Sequence, residues 1–354
     1  MRELPDLSCV LLFASNFDEE ILMNRYARVA VIAALFLVPI PVPSHSESKV
    51  IMIGEAVRGA MYAPFYIADA KGYFKKRELD PRIITFSRGN DINALAAGDI
   101  QFDLLSPDKV IHSALGGFPV KMIMGTVRGL NLALVVHPGI KAAADLRGKP
   151  IAISGFSGLP YTALLLCLKE LGLTKDQVVP LSTGGKVERY EALLSHRVPA
   201  AVLDPPFTTM AAKEGMKLLV DLRALDVPYL RSVVAVTEKS LQQDTATVSR
   251  FVEAVSEEIL FYKNPANQEE SIKILAKYLR VSLDKNRAAV EEGYETYRDM
   301  TVKKPYPDPN GLKIILETVA ESNPKAKGVN PATFVDGSFV ERLDKKGFFE
   351  RSSF

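Results

Sequence analysis

The sequence predicts an α/β protein of two lobes, each a mainly parallel β-sheet flanked by helices. Three observations predict it. Short β-rich runs alternate with helical stretches over most of the chain, the mark of parallel sheets covered by helices. The runs fall into groups of four, then five, then one, followed by a helical tail. The chain has 354 residues, 47% hydrophobic and 24% charged, which is ordinary globular composition and length for about two domains.

The first group reads as strands at Val50–Ala56, Arg82–Phe86, Phe102–Leu105 and Lys121–Val127. Helices at Pro64–Lys71, Asp91–Ala97 and Lys109–Leu115 separate them, and Gly72 is a C-terminal stop for the first. The second group runs through Ala133–Val136, Pro150–Ile153, Val178–Leu181, Ala200–Leu203 and Leu218–Val220. Its helices are Tyr161–Leu171, Val187–Leu194 and Phe207–Glu214. Ser232–Thr237 is one more strand. Val248, Phe251, Val252, Val255, Ile259 and Tyr262 then keep helical spacing, so that segment buries one apolar face before Pro265 ends it. Helices near Ile272–Leu279, Lys285–Glu295 and Leu312–Ala320 follow. Parallel sheets bind ligands beyond the C-terminal ends of their strands, so two such sheets place a site in the crevice between them.

Residues 23–46 read as an export signal. Arg25 and Arg28 precede an uncharged run from Val29 to Pro43, and Ser44-His45-Ser46 supplies small residues before a cut. Pro39, Pro41 and Pro43 break the run, which weakens the alternative of a permanent anchor. Residues 1–22 carry Arg2 against five acidic residues, opposite to a positive leader, and read as a mis-assigned extension ahead of a start at Met23. The expected location is the periplasm. The net charge is +2 with both signs mixed, which argues against a nucleic-acid partner. After the cut only Cys167 remains, in the apolar run Leu164-Leu165-Leu166-Cys167-Leu168, so no internal disulfide is expected and the thiol reads as a buried small hydrophobe. The four His residues are scattered and no His/Cys/Asp/Glu group has metal-ligand spacing; neither metal nor cofactor is expected.

Three segments carry a resemblance. Ala63-Pro64-Phe65-Tyr66-Ile67-Ala68-Asp69-Ala70-Lys71-Gly72-Tyr73-Phe74, then Leu95-Ala96-Ala97-Gly98-Asp99-Ile100-Gln101-Phe102-Asp103, then Asp145-Leu146-Arg147-Gly148-Lys149-Pro150-Ile151-Ala152-Ile153 stand in order. Together they resemble the sulfonate/nitrate/taurine and thiamine-pyrimidine-like substrate-binding proteins of ABC importers, over about residues 49–264. The resemblance implies a type II periplasmic binding fold whose lobes close on a ligand by hinge rotation. Residues 48–130 and 237–354 would form one discontinuous lobe and 132–230 the other, with crossings near 131–136 and 231–236. It also implies a monomer that binds a small molecule without catalysis and docks on an ABC permease. An exported sensor module and an enzyme on the same fold are the alternatives.

Strand-end loops supply the candidate ligand residues. By analogy the loop after the first strand faces the cleft, where Arg58 would hold an anion, Gly59 would admit close backbone approach and Tyr62 would stack. Arg88 and Gly89 follow the second strand at a helix N-terminus, and Ser106 follows the third; helix capping is the competing role there. Arg128 follows the fourth strand, either reaching the cleft or bracing the hinge. In the second lobe Ser154, Phe156 and Ser157 lie in a loop entering a helix. That loop lacks the Gly-x-Ser-x-Gly nucleophile pattern, and Thr183-Gly184-Gly185-Lys186 lacks P-loop spacing. Lys186, Asp204 and Phe207 complete the set, Asp204 with helix capping as its competing role. Arg58, Arg88, Arg128 and Lys186 together suggest an anionic organic ligand.

Overall fold

A computed structural model describes residues 48–86, 90–156, 158–225 and 227–350. The expected signal and extension lie outside the described residues, as do Arg88, Gly89 and Ser157.

Two five-stranded sheets organise the chain. The first contains β1 (Lys49–Glu55), β2 (Leu79–Thr85), β3 (Phe102–Leu105), β4 (Val120–Arg128) and β10 (Leu230–Thr237), in the order β2-β1-β3-β10-β4. The second contains β5 (Ala133–Val136), β6 (Pro150–Ile153), β7 (Val179–Ser182), β8 (Ala200–Leu203) and β9 (Lys217–Asp221), in the order β7-β6-β8-β5-β9. In each sheet one strand opposes its neighbours: β10 is antiparallel to β3 and β4, and β5 to β8 and β9. The other strands share one direction, so the mainly parallel sheets expected from sequence are what forms. The inner strands β3, β5 and β8 are buried at every residue, whereas the edge strands β2, β7 and β9 are partly exposed.

The chain leaves the first sheet after Arg128 and enters the second at Ala133; it leaves the second after Asp221 and returns at Leu230. The passages are therefore residues 129–132 and 222–229. The segments read as crossings, 131–136 and 231–236, are largely β5 and β10, because Ala133–Val136 and Val233–Val236 are buried apolar runs that pair into sheets.

Helices cover the sheets: α1 (Ala63–Ala70), α2 (Asp91–Ala97), α3 (Pro107–Leu115), α4 (Gly158–Glu170), α5 (Lys186–Leu194) and α6 (Phe207–Lys213) follow strands. The tail adds α7 (Glu238–Gln243), α8 (Thr245–Lys263), α9 (Gln268–Leu279), α10 (Leu283–Met300), α11 (Lys313–Ser322) and α12 (Ser338–Lys345). Helix α8 seals one face of the first sheet: Phe251 stacks on Phe102 with ring centroids 3.7 Å apart, and both are buried. Burying such a ring stabilises by about 1.5–3 kcal/mol. On the other face a single apolar cluster runs from Met122 and Val233 through Ile315 and Val319 of α11 to Leu164 and Leu168 of α4. The two sheets thus share a core by way of α11. Cys167 is buried in that cluster. No helix among the described residues is long and apolar enough to cross a membrane.

Candidate functional site

A cavity of about 810 Å³ opens where the chain passes between the sheets. β4 delivers Arg128 to its wall, and Gly129 turns the chain with φ 86°, a left-handed conformation that suits glycine. The Gly129 N–H donates to the Tyr229 carbonyl at 2.8 Å, so the outgoing and returning passages are hydrogen-bonded to each other. Asn131 accepts from the Arg231 guanidinium at 2.7 Å, which ties the outgoing passage to β10. The returning passage supplies Leu225, Val227 and Tyr229 as an apolar wall, and Pro205 comes from the loop after β8. Glu295, Asp299 and Met300, at the C-terminal end of α10, also line it, as do Asp308 and Gly311.

Leu230 is clamped where β10 begins. A Cβ on Gly311 would lie 2.9 Å from both the Leu230 nitrogen and its Cβ, and one on Gly125 would lie 2.6 Å from Leu230 Cδ1. Glycine at both positions is what lets the tail and β4 close on the returning chain.

The cavity lining holds two cations, Arg128 and Arg223, against three carboxylates, Glu295, Asp299 and Asp308, so it is not positive. Arg128 donates to the Tyr306 carbonyl at 3.1 Å and lies 3.9 Å from the Asp308 carboxylate. Its Nε is buried without a protein partner. Arg223 is paired with Asp221 at 2.6 Å, and that guanidinium holds the Asp221 carboxyl below its usual range. Asp299 is 2.8 Å from Arg298.

Among the described residues of the sequence-derived set, Arg128 is the one that lines this cavity. Arg58 faces a separate cavity of the first sheet, with its Nε 3.3 Å from Thr85 Oγ1 and 3.8 Å from the Glu55 carboxylate. Gly59 caps the short turn Ala60–Tyr62. Tyr62 is 1% exposed and its oxygen accepts from the Ala56 N–H at 2.9 Å, so its ring is core and has no free face for a ligand. Ser106 is the N-cap of α3, its carbonyl accepting from the Lys109 N–H at 3.2 Å. Asp204 is buried between two cations: Arg189, 3.2 Å away and 2% exposed, and Lys186, which pairs with the other carboxylate oxygen. Its charge is thereby satisfied inside the protein. Phe207 packs on Tyr190 with ring centroids 5.2 Å apart. The Ser154 carbonyl accepts from the Ser182 hydroxyl at 3.1 Å. Phe156 stands 60% exposed, edge-on to Tyr161.

The sequence reading missed Asn131, Arg223, Tyr229 and Glu295. Asn131 opens the first segment read as a crossing, whereas Arg223 and Tyr229 fall within 132–230, the stretch read as the second lobe. Glu295 sits late in a helical tail with no local signal. A buried carboxyl was missed as well. Asp103 of β3 is fully buried, neither of its oxygens has a hydrogen-bond partner, and burial, reinforced by Asp91, pushes its carboxyl up to about 8. Lys109 satisfies Asp91 instead, at 2.8 Å. Among the described residues no cluster of three or more His, Cys, Asp or Glu is placed to hold a metal ion.

A family model described as NMT1/THI5 like matches residues 60–267. The chain belongs to this family. The riboflavin-binding protein RibY of Chloroflexus aurantiacus is 26% identical over 231 residues, 63% of this chain and 64% of that protein. A 4-amino-5-hydroxymethyl-2-methylpyrimidine phosphate synthase of Candida albicans is 27% identical over 149 residues, 41% of this chain and 43% of that protein. The chain therefore spans less than two thirds of the length of these curated relatives. Among solved structures, a sulfonate ABC transporter periplasmic sulfonate-binding protein, SsuA, of Methylobacillus flagellatus superposes with a TM-score of 0.70 at 17% identity, covering 86% of this chain and 96% of that one. The fold of this NMT1/THI5-like chain is that of the two-lobed periplasmic binding proteins.

Proposed function

We propose that this protein captures a small organic solute between its lobes in the periplasm and delivers it to an ABC permease, without transforming it. The observation that carries this reading is the cavity of about 810 Å³ at the two interlobe passages, a volume suited to a drug-sized molecule. Its walls combine apolar side chains with a few fixed polar groups, the usual make-up of a binding site. A hinge at the passages would let the lobes close on the solute, and a permease would distinguish closed from open.

The solute we favour is flat, with a polar or anionic edge. Tyr229, Leu225 and Val227 offer the apolar wall, while Arg128 and Asn131 offer hydrogen bonds. The expectation of an anion now rests on Arg128, since Arg58 and Lys186 are engaged elsewhere. The likeness to RibY favours a flavin-like ring system, and the sulfonate-binding fold neighbour an organic anion. The second reading is an enzyme, favoured by the pyrimidine phosphate synthase relative. Against a thiol-based reaction, Cys167 is buried and burial pushes its thiol up to about 12.

The test is a thermal-shift screen of riboflavin, pyrimidines, sulfonates, carboxylates and nitrate, with mass spectrometry of each mixture. A ligand bound only by the folded state adds about 2.7 kcal/mol of stability at a hundredfold excess over its dissociation constant. A shift with one class and an unchanged ligand supports capture. Conversion of the ligand would move the assignment to the enzyme reading, and no shift with any class would sink the solute classes named here.

A further inference from the structure

We propose a second, separate ligand site on the outer edge of the first sheet, built to take a small oxyanion such as a phosphate or sulfonate group. It is a cavity of about 370 Å³ between the end of β1, the middle of β2, helix α1 and the end of α9. It shares no lining residue with the interlobe cavity and does not depend on the function proposed above.

Four basic side chains converge on it from three parts of the chain: Arg58 after β1, Arg82 on β2, and Lys277 and Arg280 at the end of α9. Two carboxylates share the lining, Glu55 and Asp69, and both are already engaged. Glu55 is buried and accepts from the Tyr66 and Thr85 hydroxyls, while Asp69 accepts from the Tyr278 hydroxyl at 2.6 Å. Arg82 has Asp80 at 2.7 Å. Among the described residues, Lys277 and Arg280 form no salt bridge.

The floor is rigid. Tyr66 and Tyr278 stack with ring centroids 4.9 Å apart and planes 19° from parallel, each hydroxyl tied to a carboxylate. Arg280 holds φ 58°, and the Val281 N–H closes the last turn of α9 on the Ala276 carbonyl at 3.1 Å. That turn presents the side chains of Lys277 and Arg280 to the cavity while its carbonyl is satisfied. Arg58 lies 3.8 Å from Glu55, which leaves Lys277 and Arg280 as the two cations with no carboxylate partner among the described residues. Cations around a concave surface bind oxyanions through charge-assisted hydrogen bonds, bidentate where arginine is the donor. The concavity favours a small anion over a flat macromolecular surface.

The test is a titration of the ¹⁵N-labelled protein with inorganic phosphate and with methanesulfonate at low ionic strength, read by amide shifts. Saturable shifts at residues 55–58 and 277–281, weakened at least tenfold in the Lys277→Glu/Arg280→Glu double variant, would establish the site. Lys345→Glu/Lys346→Glu, on and beside the distant α12, makes the same change in net charge and should alter affinity less than twofold. Three outcomes would overturn the proposal: no saturable shift, an equal loss in both double variants, or shifts confined to residues 128–131 and 295–311. Binding to phosphatidylglycerol vesicles, lost in the first double variant but with no phosphate binding, would also overturn it, replacing a small anion by a lipid surface.

Discussion

Glu321 accepts a hydrogen bond from the Tyr161 hydroxyl at 2.9 Å, tying α11 to α4 beside the second sheet. Lys175 reaches the same carboxylate oxygen at 2.7 Å. Because α11 also contributes Ile315 and Val319 to the shared core, this contact fixes the tail across the two sheets. The Glu321 side chain is about one third exposed, so solvent weakens the ion pair and the hydroxyl bond carries more of the effect. Tyr161→Phe should cost about 0.5–1.5 kcal/mol, lowering Tm by about 1–4 °C. A double-mutant cycle with Glu321→Gln measured by thermal melting should show coupling; strict additivity would mean the bond contributes nothing.

Asp103 should make the protein less stable as pH rises. Its folded carboxyl is raised from 3.8 to about 8 by burial first and Asp91 second. Below the unfolded value both states hold the proton and the group is neutral in its effect. Between about pH 4 and pH 8 the unfolded chain releases the proton while the folded chain keeps it, so this contribution to stability is lost progressively across that window. Asp103→Asn removes the penalty, and we expect it to stabilise by about 1–3 kcal/mol at pH 7 with no gain at pH 3.5. Urea melts across this range would detect it; a gain independent of pH would point to packing instead.

The fold was legible in the sequence because its strands are short and rich in apolar and β-branched residues, and because their grouping already separates two sheets. Helix α8 was legible through six apolar residues at helical spacing. The site was much less so. Strand-end position places a residue near a cleft but leaves its side-chain direction open, and tertiary neighbours decided that: Arg189 claimed Asp204, Glu55 drew Arg58, and the core took the Tyr62 ring. Arg189 lies 15 residues before Asp204, and only the pairing of α5 with β8 brings them together. Glu295 and Asp308 reach the cavity through tail packing, which carries no local pattern.

Gly311→Ala should disturb the start of β10 more than an ordinary surface change. The added Cβ would meet the Leu230 backbone nitrogen and Cβ at 2.9 Å, and backbone cannot swing aside as a flexible side chain can. Overpacking of this kind costs about 1–3 kcal/mol. Because Gly311 lines the interlobe cavity, ligand affinity should fall alongside stability. Calorimetry of the variant with the identified ligand checks both. A variant as stable as the parent would show that the tail shifts freely here, against the clamp.

Arg128 lines the interlobe cavity, and its surroundings predict what kind of group a ligand presents. Two of its nitrogens face the Tyr306 carbonyl and the Asp308 carboxylate, while Nε lies buried with no protein acceptor. The Arg128 side chain as a whole is 37% exposed, so the exposed part of its guanidinium can donate a charge-assisted hydrogen bond to a ligand oxygen. Arg128→Ala should therefore weaken the ligand at least tenfold, about 1.4 kcal/mol or more. Asp308→Asn separates the two ligand classes. Removing the neighbouring negative charge leaves Arg128 uncompensated, so an anionic ligand should bind more tightly and with steeper dependence on salt, whereas a neutral ring system should bind about as before. Tighter, salt-sensitive binding in Asp308→Asn would establish the anion. Unchanged affinity there, combined with the loss in Arg128→Ala, would establish a neutral acceptor such as a ring carbonyl. No loss in Arg128→Ala would remove this residue from the site altogether.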